Sequence, residues 1–166
     1  VQGVMRILSR FGVLRRPQTS REPVGPSLRS SLESASAAGD IRIVGTPPED
    51  GPEISIDTSQ AAVAFDTLLH LLAARAPERP VNVEARVRSL PKGRPDTVEA
   101  AIRARDVELE DPALSGLRSA ALLNRDDTRE VYPGLALAEA VAHNHGGRLV
   151  TKATAGGLIL ALRLPL

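Results

Sequence analysis

Apolar residues recur at helical intervals near the start of the chain, where Val4, Ile7, Leu8, Phe11 and Leu14 predict an amphipathic helix of about three turns. Pro17 ends it, and the prolines and glycine of residues 17–26 read as a linker or an extended arm. Pro26 sits where a helix commonly starts, with Leu28, Leu32 and Ala35 as a modest apolar stripe and Gly39 as its stop. Asp40–Val44 and Glu53–Ile56 read as short strands separated by the turn-rich residues 45–52. Asp57 is a natural N-cap for the clearest helix of the chain. Ala61, Phe65, Leu68 and Leu72 line its apolar face, Ala64, Leu69 and Leu71 widen it, and it ends before Pro77.

Downstream the period switches to two. Val81 to Arg88 alternates strictly, as a half-buried antiparallel strand requires. Thr97–Arg105 repeats the pattern with Val98, Ala100, Ile102 and Ala104 inward, after a hairpin-type loop from Ser89 to Asp96. Residues 106–133 carry no clear period, although Ala113–Leu123 is compatible with a helix. Leu135, Ala138, Val141 and Ala142 mark a short helix stopped by Gly146-Gly147, and Arg148–Thr154 with Leu158–Leu164 make a closing hairpin around Ala155-Gly156-Gly157. Antiparallel pairs mixed with helices that can cover one face predict an α+β two-layer sandwich, with a mixed, mostly antiparallel sheet and about three covering helices.

Composition narrows the partners. The 166 residues suit one compact domain with a short extra element. Phe11, Phe65 and Tyr132 are the whole aromatic inventory, so the core is aliphatic and a base-stacking surface for single-stranded nucleic acid is not expected. Residues 1–30 carry six arginines against Glu22 alone in a chain of net charge +1, which reads as a solvated helix end and linker. The absence of cysteine excludes disulfides and Cys-based zinc sites. No apolar run reaches the ~18 residues of a membrane span, and nothing resembles a signal peptide. Neither nucleic acid nor membrane is an expected partner of this segment, and a cytoplasmic location is.

Residues near the end carry a family resemblance. Gly134-Leu135-Ala136-Leu137-Ala138, then His145-Gly146-Gly147-Arg148-Leu149, then a hairpin ending Leu162-Arg163-Leu164-Pro165-Leu166, resemble the closing third of a sensor histidine kinase ATP-binding domain of the Bergerat (GHKL) type. Asp57 opening a helix that closes in Ala76-Pro77-Glu78 resembles that family's N-box helix, and Asp106 falls where it carries the Asp of its D-x-G-x-G box. Residues 24–166 then correspond to the ATPase domain, and 1–23 to the end of a dimerisation helix with its linker. The resemblance implies ATP and magnesium as cofactors, a response regulator or partner kinase as partner, and a homodimer formed through upstream helices.

Tested residue by residue, the implied pocket is depleted. The magnesium-holding Asn of the N-box falls on Leu71, which offers no oxygen to a hard cation. Asp106 is kept for the adenine amine, but the two glycines that should follow are Glu108 and Glu110. Gly134 of the phosphate-lid motif is kept, while its partner glycine is Ala136. The Phe-rich box before the lid is missing, and a basic residue late in the N-box helix is Ala74. Asp106, Gly134, Leu135, Ala136 and Leu137 are thus expected as a vestigial nucleotide pocket with no catalytic residue and no metal ligand.

Other chemistry finds little footing. His143 and His145 stand two apart on a helix and face different ways, against a metal pair. His70 is expected as a half-buried packing residue. The carboxylates at 108–111 and 126–127 lack the spacing of a calcium loop. Ser31 and Ser115 have no base arranged beside them. The leading expectation is a non-catalytic signalling module acting by dimerisation or docking. The alternatives are a divergent active kinase domain, a phosphotransfer protein whose accepting histidine lies on other helices, and an unrelated α+β binding domain.

Overall fold

The computed structural model describes residues 16–90, 96–107 and 133–166. The helix expected over 4–14, the segment 113–123 and the positions of Glu108 and Glu110 lie outside them.

Five strands form the main sheet, in the order β2 (Ile41–Ile43), β4 (Val81–Ser89), β5 (Thr97–Arg105), β7 (Gly157–Pro165), β6 (Arg148–Thr154). Only β2 against β4 is parallel, with Ile41 opposite Val81. The rest is antiparallel, with Val83 opposite Ala104, Ala104 opposite Leu158, and Leu158 opposite Ala153. A separate two-stranded sheet pairs β1 (Ser20–Pro23) with β3 (Glu53–Ile56). Among the described residues three helices complete the α+β sandwich: α1 (Gly25–Ala37), α2 (Thr58–Arg75) and α3 (Pro133–Asn144). Helix α2 packs between α1 and α3, and α3 also meets β6 and β7.

The alternation read from β4 and β5 explains the layering. Val83 and Ala85, with Val98, Ala100, Ile102 and Ala104, turn inward with Leu158, Leu160, Leu162 and Leu164 of β7. Ala61, Ala64, Phe65, Leu68 and Leu72 of α2 meet them in one continuous core. Each large side chain taken out of water here contributes about 1.5–3 kcal/mol. Among the described residues the core is aliphatic apart from Phe65.

Two connections differ from what local pattern suggests. Residues 20–23, within the stretch expected as a linker or extended arm, form β1 on the edge of β3. The strands at 41–43 and 53–56 do not share a sheet. Three prolines in the intervening nine residues carry the chain away from β2, so β3 meets β1 while β2 waits for β4 across the α2 crossover. The closing hairpin behaves as expected, with the two-residue turn Ala155-Gly156 held open by Gly156 at φ +77°.

Candidate functional site

Helix α2 is fastened at both ends. Asp57 caps it, its Oδ1 accepting from the Gln60 amide at 3.1 Å, while its Oδ2 accepts from the Gln18 amide at 2.9 Å. One carboxylate thus holds the helix start and the arm that enters the domain. At the other end Arg79 donates from Nε to the Ala73 carbonyl at 3.1 Å and from its guanidinium to Asp40 at 3.1 Å. The first bond satisfies a carbonyl that a helix C-terminus otherwise leaves to water.

Helix α3 is tied to the same cap. His145, 9% exposed, accepts from the Asp57 backbone N–H at Nε2 (3.0 Å), and its Nδ1 lies 2.8 Å from the Val141 carbonyl. An amide can only donate and a carbonyl can only accept, so the ring proton resides on Nδ1. Directly after it, Gly146 at φ +74° turns the chain into β6. A Cβ on Gly147 would overlap the carbonyl oxygen of Arg163, so the helix-to-strand corner closes only on glycine. His143 is exposed and pairs instead with Glu139 at 2.8 Å, whose other oxygen accepts from the Leu149 amide at 3.0 Å. The two histidines do face different ways. His70, expected to be half-buried, is exposed: Leu69 and Leu71 on either side of it take the core-facing positions and turn it outward.

The residues singled out for a nucleotide pocket stand at the start of α3 and at the end of β5. Gly134, in the first turn of α3, lies directly against α2: a Cβ there would stand 3.4 Å from the Thr67 carbonyl and 3.9 Å from the Leu71 Cβ. Leu71 is 8% exposed, and Leu135 and Leu137 are fully buried, with Ala136 half-buried between them. The Thr67 hydroxyl donates back to the Val63 carbonyl of its own helix. Oxygen ligands for magnesium are therefore not supplied by the side chains of Leu71 or its neighbours in this contact, and the donor set does not fit the ion. Among the described residues no group of three or more His, Cys, Asp or Glu side chains converges as a metal site.

Asp106 is exposed at the end of β5, with φ +60° and its amide donating to the Gly156 carbonyl at 2.8 Å. It lines a cavity of about 230 Å³ with Ala76, Pro77, Glu78, Asn82 and Arg105. Asp tolerates this left-handed backbone better than most residues. Next to it Val107 is fully buried. Ala74, at the position expected to be basic, is exposed on α2.

Sequence reasoning missed Glu99, which alternation places on the outer face of β5. It is only 6% exposed because Arg88 of β4 and Arg163 of β7 fold over it. Arg88 reaches its Oε1 at 2.9 Å and Arg163 its Oε2 at 2.8 Å. Burial pushes the Glu99 carboxyl up, but the hydrogen bonds from Arg163 and Arg88 outweigh that and hold it below the usual glutamate range. The signal was present as arginines on the two strands that flank Glu99, but reading it needs the register.

Set beside solved structures, this architecture has clear counterparts. The histidine kinase AdeS of Acinetobacter baumannii superposes with a TM-score of 0.63 at 11% identity, over 99% of this chain and 76% of AdeS. Full-length ShkA in complex with AMPPNP gives 0.70 at 14% identity, over 98% of this chain and 35% of ShkA. The ATP binding domain of PrrB from Mycobacterium tuberculosis gives 0.62 at 21%, over 89% of this chain and 97% of that domain. No protein-family model and no curated protein sequence matches the chain. The fold is that of the ATP-binding catalytic domain of sensor histidine kinases. The closing hairpin joins the sheet of the strand leading to Asp106, as that kinship requires.

Proposed function

We propose that this chain is a signalling module on a histidine-kinase ATPase scaffold whose use of ATP is impaired. Residues 24–166 supply the ATPase-like domain, and residues 1–23 the end of a dimerisation helix with its linker. The observation that carries the reading is Leu71: the position where the family resemblance calls for a magnesium ligand holds a buried hydrocarbon packed against Gly134. A phosphate chain brought there meets no bridging cation, and its repulsion goes uncompensated. Function then rests on surfaces, through homodimerisation by upstream helices or docking of a response regulator or partner kinase.

Supporting this, the scaffold around the depleted position is fully fastened. Asp57, His145 and the Gly146-Gly147 corner hold α2, α3 and the final hairpin together through hydrogen bonds and close packing within the chain. Isothermal titration with ATP, with and without magnesium, tests the proposal. No measurable heat, or weak binding indifferent to magnesium, is expected. A micromolar affinity that depends on magnesium overturns it and favours a divergent active kinase domain.

A further inference from the structure

The face of the main sheet turned away from the helices carries charge in cross-strand rows. Register sets Arg88, Glu99, Arg163 and Arg148 side by side on β4, β5, β7 and β6. Two residues along, Arg86, Ala101, Ala161 and Val150 form the next row, and Glu84, Arg103, Ile159 and Lys152 the one after. These rows hold six cations against two carboxylates, a surplus of four in a chain whose net charge is +1. Glu84 pairs with Arg86, and Glu99 with Arg88 and Arg163. Arg103, Arg148 and Lys152 are exposed and make no ion pair among the described residues. Between the long side chains lies a depression of about 160 Å³, with Ala101 and Ile159 in its lining and Arg86, Arg88 and Arg103 around them.

We propose that this open sheet face is a docking surface for an acidic protein segment, one presenting clustered carboxylates beside small apolar side chains. The proposal rests on the docking reading above for its occupant being a protein. Arginine forks match carboxylates in a bidentate way. Arg103 and Lys152 stand two strands apart, about 9.6 Å, close to the ~10.8 Å that separates residues two turns apart on a helix. The half-buried Ala101, Ile159 and Val150 give apolar side chains of a polypeptide something to pack on.

The same face suits other polyanions less well. Glu84 and Glu99 are built into it, and both are held below the usual glutamate range, Glu84 by its hydrogen bond from Arg86. No aromatic ring stands in these rows to stack a nucleic-acid base. For a membrane surface the face lacks an inserting residue: among the described residues the exposed large hydrophobic is Leu166, at 45%. A second copy meeting it face to face brings the same surplus of positive charge.

Fluorescence anisotropy on the whole chain tests this, using a labelled peptide of alternating glutamate and alanine blocks. Random-sequence duplex DNA and vesicles containing phosphatidylserine are run in parallel. The peptide should bind, and R103E/K152E should weaken it about tenfold. R21E on the remote β1 should stay within about twofold of the wild type. R103Q/K152Q, expected to weaken binding by a smaller factor, serves if the charge-reversed protein fails to fold. The proposal is overturned by absent peptide binding, by an equal loss in R21E, or by DNA or vesicles binding more tightly through the same residues. ATP titration of the wild type is independent: micromolar, magnesium-dependent nucleotide binding there sinks the pocket reading and leaves this surface standing.

Discussion

His145→Phe separates hydrogen bonding from bulk at the junction of α2 and α3. Phenylalanine keeps a planar ring in the buried site but neither donates nor accepts. Two partners lose their bonds: the Asp57 amide, now 3.0 Å from Nε2, and the Val141 carbonyl, 2.8 Å from Nδ1. A partly buried amide left unsatisfied costs about 1–3 kcal/mol, and the second bond contributes about 1 more, so the expected loss is about 2–4 kcal/mol. For a chain of this size that lowers the melting temperature by about 4–16 °C. Urea denaturation measures it, with an unchanged m value showing that the folded state is otherwise intact. Asp57→Ala removes the cap on the same junction, so the double variant should lose less than the two single losses added. Nitrogen-15 NMR of the wild type should find the ring proton on Nδ1. A His145→Phe protein within about 0.5 kcal/mol of wild type, or an Nε2-protonated ring, refutes the junction as described.

The other predictions concern single contacts. Gly147→Ala forces a methyl into the Arg163 carbonyl and should cost about 2–3 kcal/mol. Gly156→Ala, with nothing within 4 Å, should lose only the left-handed strain of about 1 kcal/mol; equal losses in urea contradict the corner geometry. Glu99→Gln should cost about 1–2 kcal/mol at neutral pH, since both arginines lose a charged acceptor. Because the folded carboxyl titrates below its unfolded value of about 4.3, this stability is present above that pH and lost as pH falls through the folded pKa. Wild-type and Glu99→Gln curves should therefore converge in acid, and a gap that widens there is evidence against the triad. Leu71→Asn should cost about 2–4 kcal/mol by placing an amide in an apolar contact. An unchanged stability means that residue 71 faces a solvated cleft, as a magnesium ligand does.

Much of the scaffold was legible because its information is local. The apolar spacing of α2, the Asp57 cap, the alternation in β4 and β5 and the glycines at both corners of the closing hairpin all act within a turn or a pleat. What required tertiary structure was the choice of distant partners. Nothing near residues 41–56 says that β2 runs parallel to β4 while β3 leaves to meet β1, since both strands present the same short alternation. Nor does any window hold both Asp57 and His145, which join across 88 residues, or reveal that Glu99 is buried beneath arginines from its two neighbouring strands. His70 turned outward and Leu71 came to pack against Gly134 for the same reason. Periodicity assigns a residue to a face of its own element, whereas packing against other elements decides what that face meets.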